Sequence, residues 1–142
     1  MSIICPIQQT GDVYVALSRV RDLATAMGFS PADRARIEIA TTELARNLIV
    51  HAGGGRLTFS QVNDPSYGPG LVIESRDNGP GIADVELALQ DGYSTAHGLG
   101  AGLPGVRRLM DAFAIESTVG VGTWIRAVKW VIRPRRSSIY GC

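Results

Sequence analysis

Residues 98–105 form a glycine-rich stretch that reads Gly98-Leu99-Gly100-Ala101-Gly102-Leu103-Pro104-Gly105. Its glycines fit the G-x-G-x-x-G pattern of dinucleotide sites, but the stretch 91–97 before them does not read as a strand. The chain also lacks the G-x-x-x-x-G-K-[ST] pattern of a P-loop. Pro104 suits the first turn of a helix predicted over 103–112. We therefore interpret the stretch as a loop that leads into a helix N-terminus, where free backbone N–H groups attract phosphates.

An earlier helix carries a carboxylate and an amide on one face. Ser30 and Pro31 predict where that helix begins, and Gly53 predicts where it ends. Glu43 and Asn47 are four positions apart, so they share a face, and apolar residues flank it. A buried carboxylate needs a partner, so the pair indicates either a structural hydrogen-bond or ion-pair network or a functional site. In the functional interpretation, Asn47 offers its amide oxygen to Mg²⁺ and Glu43 acts as a general base.

A second carboxylate stands at the end of a predicted strand. Asp77 faces the same side of the strand 71–77 as its apolar residues, so we expect it to be buried. The turn Asn78-Gly79-Pro80-Gly81 follows, and an aspartate at such a place often caps its own turn. The functional alternative is an acceptor for the exocyclic amine of adenine, since guanine presents an oxygen there. Gly79 and Gly81 would then let the backbone lie beside the base.

The order of the predicted elements indicates an α+β fold. We predict a strand at 2–9, helices at 12–27 and 30–51, strands at 56–63 and 71–77, helices at 85–90 and 103–112, and strands at 113–118 and 123–132. This order predicts a two-layer α/β sandwich with one sheet and one layer of helices. Asp12 is the expected N-cap of the first helix. Thr123 follows Gly122 at the start of the last strand, and its hydroxyl is a second candidate contact for adenine.

The composition is that of one globular domain. The chain has 142 residues, of which 45% are hydrophobic and 19% charged, so it can bury a core. A net charge of +1 favours neither nucleic acid nor an anionic membrane as a partner. No signal-peptide pattern is present, and no apolar run approaches the roughly 20 residues of a membrane span. The two cysteines form no disulfide framework, so a cytoplasmic location is expected.

Taken together, the motifs resemble those of the GHKL superfamily of ATPases and kinases. That superfamily has an N box, two glycine boxes and a final Gly-Thr in this order along the chain. The corresponding residues here are, in the same order, Glu43–Asn47, Asp77–Gly81, Gly98–Gly105 and Gly122-Thr123. Within that superfamily, the loop sequence and the stretch Ala127–Trp130 are similar to the RsbT-type serine/threonine switch kinases of the stressosome, an anti-sigma-factor kinase family.

The resemblance implies a Bergerat ATP-binding fold over residues 1–132, with a mixed, mostly antiparallel sheet and helices on one face, followed by a basic tail over 133–142. It implies that Glu43 is the catalytic base and that Asn47 binds Mg²⁺. It also implies that Asp77 and Thr123 contact adenine. The residues expected to shape the nucleotide-binding loops are Gly79, Gly81, Gly98, Gly100, Ala101, Gly102 and Leu103.

The activity that the resemblance implies is transfer of the ATP γ-phosphate to a serine or threonine of a STAS-domain protein, with ATP and Mg²⁺ as cofactors. The implied partners are that substrate, a STAS-domain scaffold and a PP2C-type phosphatase that the kinase activates, with no nucleic acid or membrane. A monomer and a homodimer both remain open. The alternative is an ATP-binding anti-sigma factor that sequesters a sigma factor directly, although the glycine-loop sequence favours the kinase.

Overall fold

The structure, a computed structural model, describes residues 2–90 and 102–132. Its elements are β1 (Ser2–Ile7), α1 (Thr10–Met27), α2 (Pro31–Ala52), β2 (Gly55–Asp64), β3 (Gly68–Asp77), α3 (Val85–Ala88), α4 (Gly102–Leu109), β4 (Ala112–Thr118) and β5 (Gly122–Trp130). Three predicted loop residues, Gly98, Gly100 and Ala101, lie outside the described residues, as does the predicted tail 133–142. The predicted domain boundary at 132 therefore stays a prediction.

The strands form one five-stranded sheet in the order β1-β2-β3-β5-β4. Every pair of neighbouring strands among the described residues is antiparallel. Alternate residues of the strands are apolar and buried, and they form one core with the buried faces of α1, α2 and α4. The predicted α+β sandwich is thus confirmed, and α2 lies directly across β2 and β3.

The two long helices begin and end at capping residues. Ser30 accepts a hydrogen bond at its Oγ from the backbone N–H of Asp33 (3.2 Å), as the sequence predicted for α2. The prediction that Asp12 is the N-cap of α1 is wrong, because α1 begins earlier and its N-cap is Gln9. Asp12 instead accepts the backbone N–H groups of Gln8 (2.9 Å) and Gln9 (3.1 Å), so it satisfies the chain just before the helix.

Helix α4 is shorter than predicted. It ends at Leu109, whereas the sequence predicted helix as far as Ala112. The reason is a contact with the sheet, because the backbone N–H of Asp111 donates to the carbonyl oxygen of Val128 (2.8 Å). That bond draws the chain out of the helix and into β4.

The sheet face opposite the helices carries both tryptophans of the chain. Trp124 donates its indole N–H to Glu74 (2.8 Å), and Trp130 stacks on Tyr67 with ring centroids 5.0 Å apart. Gly70 lies directly beneath Trp130, where a Cβ would come within 2.6 Å of the indole ring. Within the described residues, no helix combines the length and apolar character that a bilayer span needs.

Candidate nucleotide site

A cavity of about 600 Å³ opens between α2 and the ends of β3 and β5. Its volume suits a small-molecule ligand. The predicted site residues that line it come from distant parts of the chain and are Asn47, Asp77, Gly81, Gly102, Leu103 and Thr123. The fold therefore brings the helix, the turn after β3, the start of α4 and the start of β5 to one place.

The predicted base Glu43 is not among the residues that line this cavity, but it contacts Gly102, which does line it. Its side chain is buried, with 4% of the residue exposed. Its Oε1 accepts the backbone N–H of Gly102 (2.9 Å), and its Oε2 lies 3.4 Å from the guanidinium of Arg46. The buried carboxylate was expected to need a partner, and it has two, the Gly102 N–H and the Arg46 guanidinium. The Gly102 contact also places a carboxylate at the positive end of the α4 dipole.

Asn47 and His51 follow Glu43 along α2 at intervals of one turn, and both line the cavity. Asn47 is half-buried and lines the cavity. His51 is exposed in the last turn of α2, which agrees with its predicted place at the helix end. That it also lines the cavity was not predicted.

Of the two roles that the sequence left open for Asp77, the structure shows the turn-capping one. It is half-buried rather than buried as expected, and it lines the cavity. Its Oδ1 accepts the backbone N–H of Gly79 (2.8 Å), which is the turn-capping role. One carboxylate oxygen is thereby fixed, and a carboxylate has further lone pairs for a ligand. Gly79 packs on α2, where a Cβ would lie 2.8 Å from Ala52.

The hydroxyl of Thr123 lies in a small hydrogen-bond network across β4 and β5. Its Oγ1 is 2.8 Å from Oγ of Ser117, and Thr123 pairs directly with Asp77 in the sheet. The backbone N–H of Ile82 donates to the same Ser117 oxygen (2.7 Å). The carbonyl oxygen of Pro80 accepts from Gly120 (2.9 Å). The turn after β3 is therefore held against the β4–β5 hairpin by these two hydrogen bonds.

These residues fit an adenine nucleotide. The base would meet an anionic acceptor, Asp77, beside apolar walls formed by Leu48 and Ile125. The phosphates would meet the backbone N–H groups at the start of α4. Among the described residues, no three acidic, histidine or cysteine side chains cluster as a metal site. Magnesium that also binds phosphates usually takes only one or two protein ligands, and Asn47 offers an amide side chain to it.

Comparison with known proteins gives the family. The model of the histidine kinase-like ATPase domain matches residues 8–129. The chain belongs to this family. Membership implies that it uses ATP, and the predicted GHKL resemblance is confirmed.

Two curated relatives bear on the functional class of this protein within the family. The chain is 48% identical over 120 residues to the serine/threonine-protein kinase RsbT of Bacillus subtilis, covering 84% of this chain and 90% of that protein. It is 33% identical over 104 residues to the anti-sigma F factor of Caldanaerobacter subterraneus, covering 71% of this chain and 73% of that protein. The predicted enzyme class, a protein serine/threonine kinase, is supported by the first of these.

Solved structures share the fold at low sequence identity. The RsbU and RsbW domains of Rv1364c from Mycobacterium tuberculosis match with a TM-score of 0.65 and 15% identity, over 96% of this chain. This chain spans 34% of the length of that structure. The SiaB–SiaC complex of Pseudomonas aeruginosa matches with a TM-score of 0.55 and 10% identity, over 91% of this chain and 88% of the matched one. Both confirm the sandwich architecture.

Sequence reasoning missed two polar residues near this cavity. Ser117 bonds Thr123, and Ser75 is a buried cavity-lining residue on β3. Serines in strands are common, and the place of Ser117 beside Thr123 depends on the pairing of β4 with β5. Parity along β3 was an available signal for Ser75, since it points to the same side as Asp77.

Proposed function

We propose that this protein transfers the γ-phosphate of ATP to a serine or threonine of a STAS-domain protein, with Glu43 as the general base. The observation that carries the proposal is the convergence of Asn47, Asp77 and Thr123 on one cavity. Glu43 adjoins that cavity through its hydrogen bond with Gly102, which lines it. The 48% identity to a named serine/threonine-protein kinase supports the reaction class.

The adenine end is assigned from the turn after β3. A carboxylate that already accepts the Gly79 N–H is held in place, so Asp77 can accept the adenine amine with little loss of side-chain entropy. Thr123, held by Ser117, supplies a second polar contact beside it. Guanine presents a carbonyl oxygen where adenine presents its amine, and that oxygen would face the negative charge of Asp77.

The phosphate end is assigned from α4 and α2. The first amides of α4 are suited to phosphate oxygens, and Gly102 and Leu103 line the cavity there. Asn47 would hold magnesium through its amide oxygen. When bound, the ion would neutralise charge on the phosphates during transfer.

Glu43 has the chemistry of a base for the incoming hydroxyl. Its two oxygens accept from Gly102 and Arg46, which leaves lone pairs for a substrate O–H. As the serine oxygen bonds to the γ-phosphorus, its proton passes to Glu43. The bond from that phosphorus to the bridging oxygen breaks, and ADP leaves.

The biological setting follows from the same family. We propose a cytoplasmic protein whose kinase domain ends near residue 132, with a STAS-domain scaffold and a PP2C-type phosphatase as partners. The likeness to the kinase RsbT and to an anti-sigma F factor supports a partner-switching role of this kind.

The test compares two glutamates of α2. Glu43→Gln keeps an oxygen acceptor for the Gly102 N–H but removes the base, so phosphotransfer to the STAS protein should fall about 10²–10⁴-fold. ATP affinity should stay within about threefold, measured by calorimetry. Glu38→Gln is the matched control, because Glu38 pairs with Arg21 outside the cavity. Equal phosphotransfer rates in Glu43→Gln and wild type would show that Glu43 is not the base.

A second candidate is an ATP-binding anti-sigma factor, and the 33% identity to an anti-sigma F factor favours it. The same cavity would then hold ATP as a structural ligand. Affinity purification separates the two functions, because a STAS protein as principal partner supports the kinase and a sigma factor supports the alternative.

A further inference from the structure

Helix α4 has a buried side chain of opposite charge at each end. At its N-terminal end, the Glu43 carboxylate accepts the backbone N–H of Gly102 (2.9 Å). At its C-terminal end, the Lys129 ammonium donates to the carbonyl oxygen of Leu109 (2.7 Å). Lys129 is a charged residue of β5 that is 2% exposed. Both signs match the helix dipole, which is positive at the N-terminus and negative at the C-terminus.

This helix needs such contacts to hold its position. It has eight residues, too few for a stable isolated helix in water. Gly105 lies within it, and a glycine inside a helix lowers the intrinsic helix propensity further. Its place is therefore set by what its ends and its buried face touch.

The partners of Lys129 connect α4 to the rest of the site. Its Nζ lies 3.4 Å from Asp111 Oδ1 and 3.8 Å from Asp33 Oδ1. Asp111 is itself fixed to β5, because its Oδ2 accepts the backbone N–H of Trp130 (2.9 Å). Asp33 lies in the first turn of α2, the helix that carries Glu43. Lys129 thus connects the end of α4 to β5 and to α2.

Stability alone does not account for a lysine in this place. A buried ion network is costly to desolvate, and well-packed apolar residues of similar volume often stabilise a protein as much or more. What the ion network adds is a defined position, because each of its bonds has a required direction and length.

We propose that Lys129 is a positioning residue for phosphoryl transfer, which fixes α4 so that its first amides meet Glu43 and the nucleotide phosphates. This inference rests on the proposed function, because it assigns α4 to the phosphate end of the site. Lys129 acts through the helix, at the opposite end from Gly102.

The main test removes the three charges described above together, by Lys129→Met with Asp33→Asn and Asp111→Asn. Asp33 also pairs with the exposed Arg36 (2.9 Å), which keeps access to water in the variant. The amide introduced at position 111 still offers an oxygen to the Trp130 N–H. Hydrogen exchange of the Gly102 amide should speed up about tenfold or more. Affinity for ATP should fall about tenfold more than affinity for adenosine, and kcat should fall about tenfold with KM for the protein substrate unchanged.

The matched control is Arg21→Met with Glu38→Gln, which removes an exposed ion pair between α1 and α2. It should leave all three measurements as in wild type. A milder variant, Asp33→Asn alone, keeps the Lys129 contacts with Leu109 and Asp111, and it should speed Gly102 exchange about threefold. It keeps the test open should the triple variant fail to fold.

Unchanged Gly102 exchange and an unchanged ratio of ATP to adenosine affinity, in a folded triple variant or in Asp33→Asn, would overturn the proposal. The two proposals fail separately. A wild-type protein that binds no ATP contradicts the proposed function, whereas Gly102 exchange still tests whether Lys129 holds α4.

Discussion

At the scale of single residues, two carboxylates of the proposed site each accept a backbone N–H group, and only Asp77 of the two lines the cavity. Asp77 accepts a hydrogen bond from the backbone N–H of Gly79, and Glu43 accepts one from the backbone N–H of Gly102. Such partners hold the side chains in one orientation before a ligand arrives, which lowers the entropy lost on binding.

Asp77→Asn should weaken ATP binding about 10- to 100-fold, because a hydrogen bond to a charged acceptor is lost. The fold should survive, since the Asn oxygen still accepts the Gly79 N–H. Discrimination against GTP should fall at the same time, and titration calorimetry with both nucleotides measures this. Asp64→Asn is the control, because Asp64 caps the turn at Ser66 and Tyr67 outside the cavity. Unchanged ATP affinity in Asp77→Asn would rule out the adenine assignment.

The pair Glu43 and Asn47 was predictable, because four-residue spacing on a helix needs no long-range information. The burial of Asp77 was overestimated, since strand parity gives the side to which it points but not where the cavity opens. Lys129 was not predicted. Its parity with Ile125 and Ala127 was a usable signal for an inward-facing lysine, but its partners Asp33 and Asp111 are distant in sequence.

At the scale of elements, the turn after β3 is a rigid part of the site. Gly81 has φ +77°, and a Cβ there would run into the carbonyl oxygen of Thr118. Gly120, in the hairpin opposite, has φ +80° with no atom within 4 Å of an added Cβ. The two glycines share a backbone conformation and differ in their surroundings.

This contrast gives a matched experiment. Gly120→Ala should cost about 1 kcal/mol of unfolding free energy through backbone strain alone, with ATP affinity unchanged. Gly81→Ala should cost about 1–3 kcal/mol more, because the hairpin must move away from the turn. It should also weaken ATP binding, and urea titration with calorimetry measures both effects. Equal losses of stability in the two variants would contradict the close packing.

The elements themselves were largely predictable, and their ends less so. Ser30 and Gly53 correctly gave the limits of α2 because their capping is local. The end of α4 was predicted too late, because the bond from Asp111 to Val128 depends on strand β5, which comes later in the chain.

At the scale of the whole molecule, the first strand joins the core by an apolar face that includes Cys5. Cys5 is 4% exposed on β1, opposite Leu57 in β2. Burial raises the pKa of the Cys5 thiol above its ordinary value of 9.0, and the charge of Arg19 offsets this in part.

This shift predicts how stability depends on pH. The folded-state pKa exceeds the unfolded one, so the contribution of Cys5 is complete below the unfolded pKa and is lost as pH rises through the folded pKa. Unfolding free energy should therefore fall more steeply above pH 9 in wild type than in Cys5→Val, whose other titrating groups are the same. Urea titrations from about pH 7 to about 10.5 measure this. Parallel curves for the two proteins would show that the thiol is not buried.

Both tryptophans lie on the sheet face opposite the helices, so their fluorescence reports on that face. Trp124 and Trp130 emit from the side away from the nucleotide cavity, and Trp130 is stacked on Tyr67. Intrinsic fluorescence should therefore register loss of the sheet during denaturation and stay nearly constant when a nucleotide enters. Tryptophan fluorescence should therefore follow unfolding of this protein even in solutions that contain nucleotide, without a contribution from binding.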